Sequence, residues 1–69
     1  MEILKIIGKR IAQARIENKL SQEKLAELSG LHKNYIGSIE RAEKNPTIIV
    51  LHKISKALGT SLAEILKNI

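Results

Sequence analysis

Apolar residues return every three or four positions at the start of the chain: Ile3, Ile7, Ile11 and Ala14, with Lys5, Lys9, Gln13 and Glu17 between them. A helix turns once in about 3.6 residues, so this spacing lays the apolar side chains in one stripe and predicts an amphipathic helix over Glu2–Asn18. Ser21 can cap a second helix, Glu23 in its first turn complements the positive end of the helix dipole, and Leu25, Ala26 and Leu28 supply a short buried face. Gly30 is expected to stop that helix, because glycine takes the left-handed conformation that ends helices. A third helix is predicted over Lys33–Arg41, with Ile36 and Ile39 turned inward. Pro46 and Thr47 mark the start of a fourth, whose stripe is Val50, Leu51, Ile54 and Leu58 and whose stop is Gly59. Ser61 with Glu64 makes a capping box for a fifth, with Leu62, Ile65, Leu66 and Ile69 as its apolar residues. No stretch alternates as a strand does, and no repeat or low-complexity segment interrupts the pattern. The expected fold is all-α: five short helices in a single domain spanning residues 1–69.

With only 69 residues, the core must be small and stability marginal unless something adds to it. There is no cysteine for a disulfide. His32 and His52 lie on separate segments without a thiol or a close acidic group, so no zinc site is expected. Association with another chain is the remaining aid. Twelve Lys and Arg against seven Asp and Glu leave a formal net charge of +5, and the isoelectric point near 9.8 suits a nucleic-acid partner. Lys5 and Lys9 interrupt the apolar N-terminus, which also lacks a small-residue cleavage site, so neither a signal peptide nor a membrane span is expected and the protein should be cytoplasmic. No Gly-rich phosphate loop, catalytic cysteine or carboxylate pair suggests an enzyme, a cofactor or a small-molecule ligand.

The joint between the second and third helices is the informative feature. A link as short as Gly30 and Leu31 forces two helices to cross steeply, and the small Ala26 permits the close packing that this demands. The stretch Ser21–Pro46, "SQEKLAELSGLHKNYIGSIERAEKNP", closely resembles the Xre-type helix-turn-helix family, which includes the Cro and phage repressor DNA-binding domains. The resemblance continues through "TIIVLHKISKALGTSLAEIL" and so covers nearly the whole chain. Within the family, "LHKNYIGSIERAEKNP" looks most like the controller proteins of restriction–modification systems, small homodimers that regulate transcription.

The resemblance implies a compact lambda-repressor-like domain whose third helix lies in the major groove of double-stranded DNA. Gln22, at a helix N-terminus, would grip a phosphate with its amide and the free backbone N–H groups. Lys33 can donate to guanine O6 and N7, and Asn34 can pair with adenine. Tyr35, the only aromatic residue, either packs on sugar or a thymine methyl with its hydroxyl on a phosphate or lies half-buried on its own helix. Ser38 belongs to the same polar helix, and Arg41, Lys44 and Asn45 follow as backbone clamps or as solvated side chains. His32 stands where relatives carry a Ser, Thr or Asp cap, so it either caps imperfectly or touches DNA. Arg15 and Glu40 are implied to pair and fix the third helix to the scaffold. Ala42 stands where the family commonly has Gly and Lys19 where Gly or Asn often closes the first helix, and each costs about 1 kcal/mol if the left-handed conformation is kept.

A symmetric homodimer is expected, joined through Leu62, Ile65, Leu66 and Ile69 and the adjoining part of the fourth helix, on a pseudo-palindromic operator. No effector domain is expected after the fifth helix, so regulation should act through concentration, dimerisation or cooperativity. The rival expectation is an antitoxin-type protein-interaction module with secondary DNA binding. That rival needs an extra segment for its toxin, and a neighbouring toxin gene would favour it, as a methyltransferase or endonuclease gene would favour the controller.

Overall fold

A computed structural model describes residues 1–69 and contains five helices and no strand: α1 (Glu2–Glu17), α2 (Gln22–Ser29), α3 (Lys33–Glu40), α4 (Ile48–Ala57) and α5 (Leu62–Leu66). Side-chain caps open four of them. Ser21 Oγ accepts from the Lys24 N–H at 2.9 Å, Thr47 Oγ1 from Val50 N–H at 3.1 Å and Ser61 Oγ from Glu64 N–H at 3.1 Å. His32 Nδ1 accepts from Asn34 N–H at 3.1 Å. Each satisfies one donor that a helix start leaves unpaired. The expected capping box at Ser61 forms in one direction only, because the Glu64 carboxylate pairs with Lys67 Nζ at 3.1 Å.

Four helices also end alike. A residue with positive φ follows the last turn, and the next residue's N–H reaches back to a carbonyl five positions earlier: Leu20 to Arg15, Leu31 to Ala26, Glu43 to Ser38 and Thr60 to Ser55, at 2.8–3.0 Å. The left-handed residues are Lys19 (φ 58°), Gly30 (72°), Ala42 (62°) and Gly59 (70°). Both non-glycine positions therefore keep the strained conformation, in which a Cβ crowds the following carbonyl.

Ile7 and Ile11 of α1, Leu25 and Ala26 of α2, Ile36 and Ile39 of α3, Leu51 and Ile54 of α4, Leu58 and Ile65 form one buried cluster. Ser29 and Ser55, the buried polar residues, donate to the carbonyls of Leu25 (2.7 Å) and His52 (2.8 Å). Three expectations change. Leu28 is 51% exposed, because α2 turns Leu25, Ala26 and Ser29 inward and Leu28 lies off that face. Ile3 is 40% exposed, one turn short of Ile7, the first side chain of α1 to meet the core. Ile65 is 3% exposed within a single chain, so it belongs to the monomer's core and departs from the interface expected of it.

Two long-range features hold the frame. A Cβ on Gly8 would lie 2.5 Å from the Ile39 carbonyl oxygen and 2.7 Å from that of Glu40, so α1 crosses the end of α3 at a distance only glycine permits. Arg10 Nη1 donates to the carbonyls of Ile65 (2.8 Å) and Lys67 (2.7 Å), tying α1 to the end of α5.

Candidate nucleic-acid interface

α2 and α3 are joined by Gly30, Leu31 and His32, with Gly30 left-handed and His32 already the cap of α3. A Cβ at Gly30 would meet nothing within 4 Å, so the glycine serves the backbone angle and not a close approach. The short turn sets α3 across α2, with Ile36 and Ile39 inward against Leu25 and Ala26.

The outward side of α3 is polar along its whole length. Lys33, Asn34, Gly37, Ser38 and Arg41 recur at helical spacing and, with Gln22 from the start of α2, line an open groove of about 230 Å³ without a hydrophobic side chain. The structure thus brings together Gln22, Lys33, Asn34, Ser38 and Arg41. It places four other expected residues outside the groove. Tyr35 sits on the flank of α3, half-buried against the core cluster. His32 is spent as a cap through Nδ1, with the rest of its ring exposed. Lys44 and Asn45 are exposed in the segment leading to α4.

Arg15 and Glu40 form the expected pair in two-pronged geometry. Arg15 Nε donates to Glu40 Oε2 at 2.7 Å and Nη2 to Oε1 at 3.1 Å, with the side chains 15% and 7% exposed. Arg15 Nη1 also donates to the Leu20 carbonyl at 2.9 Å. Glu40 has a further partner that sequence reasoning missed: Gln22 Nε2 donates to its Oε1 at 3.0 Å. One N–H of the Gln22 amide is therefore committed to α3, and the other has no partner within the chain. The same four side-chain and carbonyl groups join α1, the α1–α2 turn, α2 and α3, which holds Gln22 beside the polar outer face of α3.

Sequence reasoning also missed Glu43, which pairs with Arg41: Nε to Oε2 at 3.1 Å and Nη2 to Oε1 at 3.2 Å. Through that hydrogen bond and then its charge, Glu43 raises the Arg41 pKa above the ordinary arginine value. The two helix-interior glycines, Gly8 and Gly37, carried a usable signal, since glycine inside a helical pattern is unfavourable by about 1 kcal/mol and usually has a packing or functional cause.

Of the residues expected at a subunit interface, Leu62 and Leu66 are half-buried against the core and Ile69 is 46% exposed. Ile48 and Ile49 at the start of α4 are 60% and 64% exposed. No helix is long and apolar enough to cross a membrane.

Two short helices packed together across a three-residue turn, the second with a polar outer face, make the helix pair of a helix-turn-helix domain. Residues 11–65 match the family model described as Helix-turn-helix, and the chain belongs to that family. It is 48% identical over 66 residues to the control protein C.SmaI of Serratia marcescens, covering 96% of this chain and 79% of that protein. Among solved structures, the restriction-modification controller protein C.AhdI from Aeromonas hydrophila matches with a TM-score of 0.92 at 35% identity, covering 94% of this chain and 98% of that one. The biofilm regulator SinR in complex with DNA matches with a TM-score of 0.84 at 44% identity, covering 88% of this chain and 98% of that one.

Proposed function

We propose that the protein is a sequence-specific, double-stranded-DNA-binding transcriptional regulator of the restriction–modification controller type, acting as a homodimer in the cytoplasm without cofactor, small-molecule ligand or catalytic step. The outer face of α3 carries this reading. A helix that turns only hydrogen-bonding groups outward, in a chain of net charge +5, suits a major groove about 12 Å wide lined with base edges and flanked by phosphates. Lys33 offers donors to guanine and Asn34 an amide to adenine. Gln22, at the N-terminus of α2, adds its free N–H to backbone donors that face a phosphate. The similarity to C.SmaI and C.AhdI supports the controller assignment.

One recognition helix reads too few base pairs to find a single site in a genome, which favours two copies on half-sites about 34 Å apart. With Ile65 used in the core, the residues left for a second copy are Leu62, Leu66 and Ile69, with Ile48 and Ile49 on α4. Selection of bound sites from a random duplex pool, combined with sedimentation of the free protein and its complex, tests both parts. An enriched inverted repeat bound by two chains is expected. Failure to enrich any motif would overturn the sequence-specific reading, and a single half-site bound by one chain would overturn the dimer.

A further inference from the structure

Arg41 lines the groove with Glu43 paired beside it, and the base and phosphate contacts of the proposed function use neither residue. Arg41 ends α3, and the left-handed turn at Ala42 reverses the chain so that Glu43 comes to lie beside the guanidinium. The Glu43 N–H closes this turn on the Ser38 carbonyl at 2.8 Å. Both side chains are more than half exposed, at 58% and 57%. Such a pair adds little to stability, so its effect is one of orientation.

The N–H donors of a guanidinium lie in one plane and form two usable edges. Glu43 takes the edge made by Nε and Nη2. Arg41 Nη1 lies 3.0 Å from where a Cβ on Gly37 would be. The group is therefore folded back along α3 over the one residue of the outer face that has no side chain. Its other edge, Nη1 with the second N–H of Nη2, stays unpaired in the groove that Asn34, Ser38 and Gln22 also line.

We infer that Glu43 is a positioning residue that sets sequence specificity through Arg41: it holds the guanidinium over Gly37 with the free edge turned toward a guanine, and it withholds the paired edge from phosphates. The inference rests on α3 being the DNA-reading helix. A free arginine on a DNA-facing surface pairs with any phosphate along the duplex, a contact that carries no sequence information. A guanidinium with one edge already filled has a fork left that matches guanine O6 and N7. The Glu43 carboxylate also repels phosphates, so it weakens binding to every duplex while the guanine contact restores it at the operator alone.

The test titrates the wild type, Glu43→Ala, Arg41→Ala and the double variant against the selected operator, operators with each guanine replaced in turn, and random-sequence duplex over a salt series. Circular dichroism checks that each variant keeps its helicity. Glu43→Ala should bind random duplex roughly threefold to tenfold more tightly, with a salt slope steeper by about one ion. It should also lose a preference of roughly tenfold for guanine at one position per half-site. Arg41→Ala should lose that same preference, and the double variant should lose no more. Unchanged guanine preference together with unchanged affinity for random duplex in Glu43→Ala would overturn the inference. So would an equal loss of affinity for every duplex, the mark of a purely structural role. A wild type that binds operator and random duplex alike would overturn the DNA-reading assignment as well, before any variant is compared.

Discussion

Gly8→Ala should destabilise the free protein and Gly37→Ala should stabilise it, although both replace a glycine inside a helix. Helix propensity alone favours alanine over glycine by about 1 kcal/mol at either site. At Gly8 the new methyl would stand 2.5 Å from the Ile39 carbonyl oxygen, some 0.9 Å short of the 3.4 Å at which ordinary contact begins. Both opposing atoms are backbone carbonyls of the last turn of α3. Ile39 O already accepts from the Ala42 N–H at 3.0 Å, and Glu40 is held by Arg15 and Gln22. Neither can yield unless α1 and α3 move apart, and overpacking of this kind costs about 1–3 kcal/mol. Separation would also stretch the Arg15–Glu40 pair, whose worth depends on its short geometry. The net expectation is a loss of about 1–2 kcal/mol after the propensity gain is set against it. At Gly37 the nearest atoms are the ends of side chains, Arg41 Nη1 at 3.0 Å and Gln22 Oε1 at 3.4 Å, and a small shift at these ends relieves the contact without breaking their pairs with Glu43 and Glu40. There the propensity gain of about 0.5–1 kcal/mol should survive. For a domain of this size 1 kcal/mol moves Tm by about 4–8 °C, so thermal and urea unfolding followed by circular dichroism resolve both signs. Protein concentration must be held fixed because association shifts apparent stability. A Gly8→Ala variant as stable as the wild type, or more stable, would refute the close approach of α1 to α3.

Ile65→Ala should cost about 2–4 kcal/mol in urea unfolding followed by circular dichroism, as for a buried isoleucine left with a cavity; Ile69→Asp should keep the helicity of the wild type while sedimentation detects a monomer. Lys19→Gly and Ala42→Gly should each raise stability by about 0.5–1 kcal/mol in urea titrations, because glycine relieves the left-handed strain at φ 58° and 62°. Lys33→Ala or Asn34→Ala should reduce discrimination at one base position by about 1–3 kcal/mol, whereas Lys44→Ala should weaken all duplexes alike and lower the salt slope by about one, in titrations across operator variants. Equal preference among operator variants in both α3 substitutions would remove that helix from the reading role.

Local hydrogen bonds and periodicity decided most of what the sequence discloses. The caps at Ser21, Thr47 and Ser61 and the stops at Gly30 and Gly59 each depend on partners no more than five residues away, and each forms where the sequence predicts it, the capping box at Ser61 by one of its two bonds. The spacing of Ile7 and Ile11, Ile36 and Ile39, and Leu51 and Ile54 likewise marks the inner faces, because a helix fixes which side chains share a side before it meets a neighbour. The helix-turn-helix and its polar outer face were legible for this reason, as was the Arg15–Glu40 pair through family resemblance.

What remained hidden depends on which helix lies against which, and how closely. Periodicity places Leu28 and Ile65 equally well on an apolar face, yet one is 51% exposed and the other 3%, because α2 is covered on one side only and α5 folds back onto α1 and α4. Arg10 finds the carbonyl of Ile65 across 55 positions of chain. Gly8 is decided by the carbonyls of Ile39 and Glu40, more than thirty positions away. The orientation of Arg41 depends on a left-handed alanine and a side chain that Gly37 lacks. Hydrogen bonds within a turn are set by neighbours in the chain, whereas burial, close backbone approach and the aim of a long side chain are set by distances between residues that only the packed helices bring together.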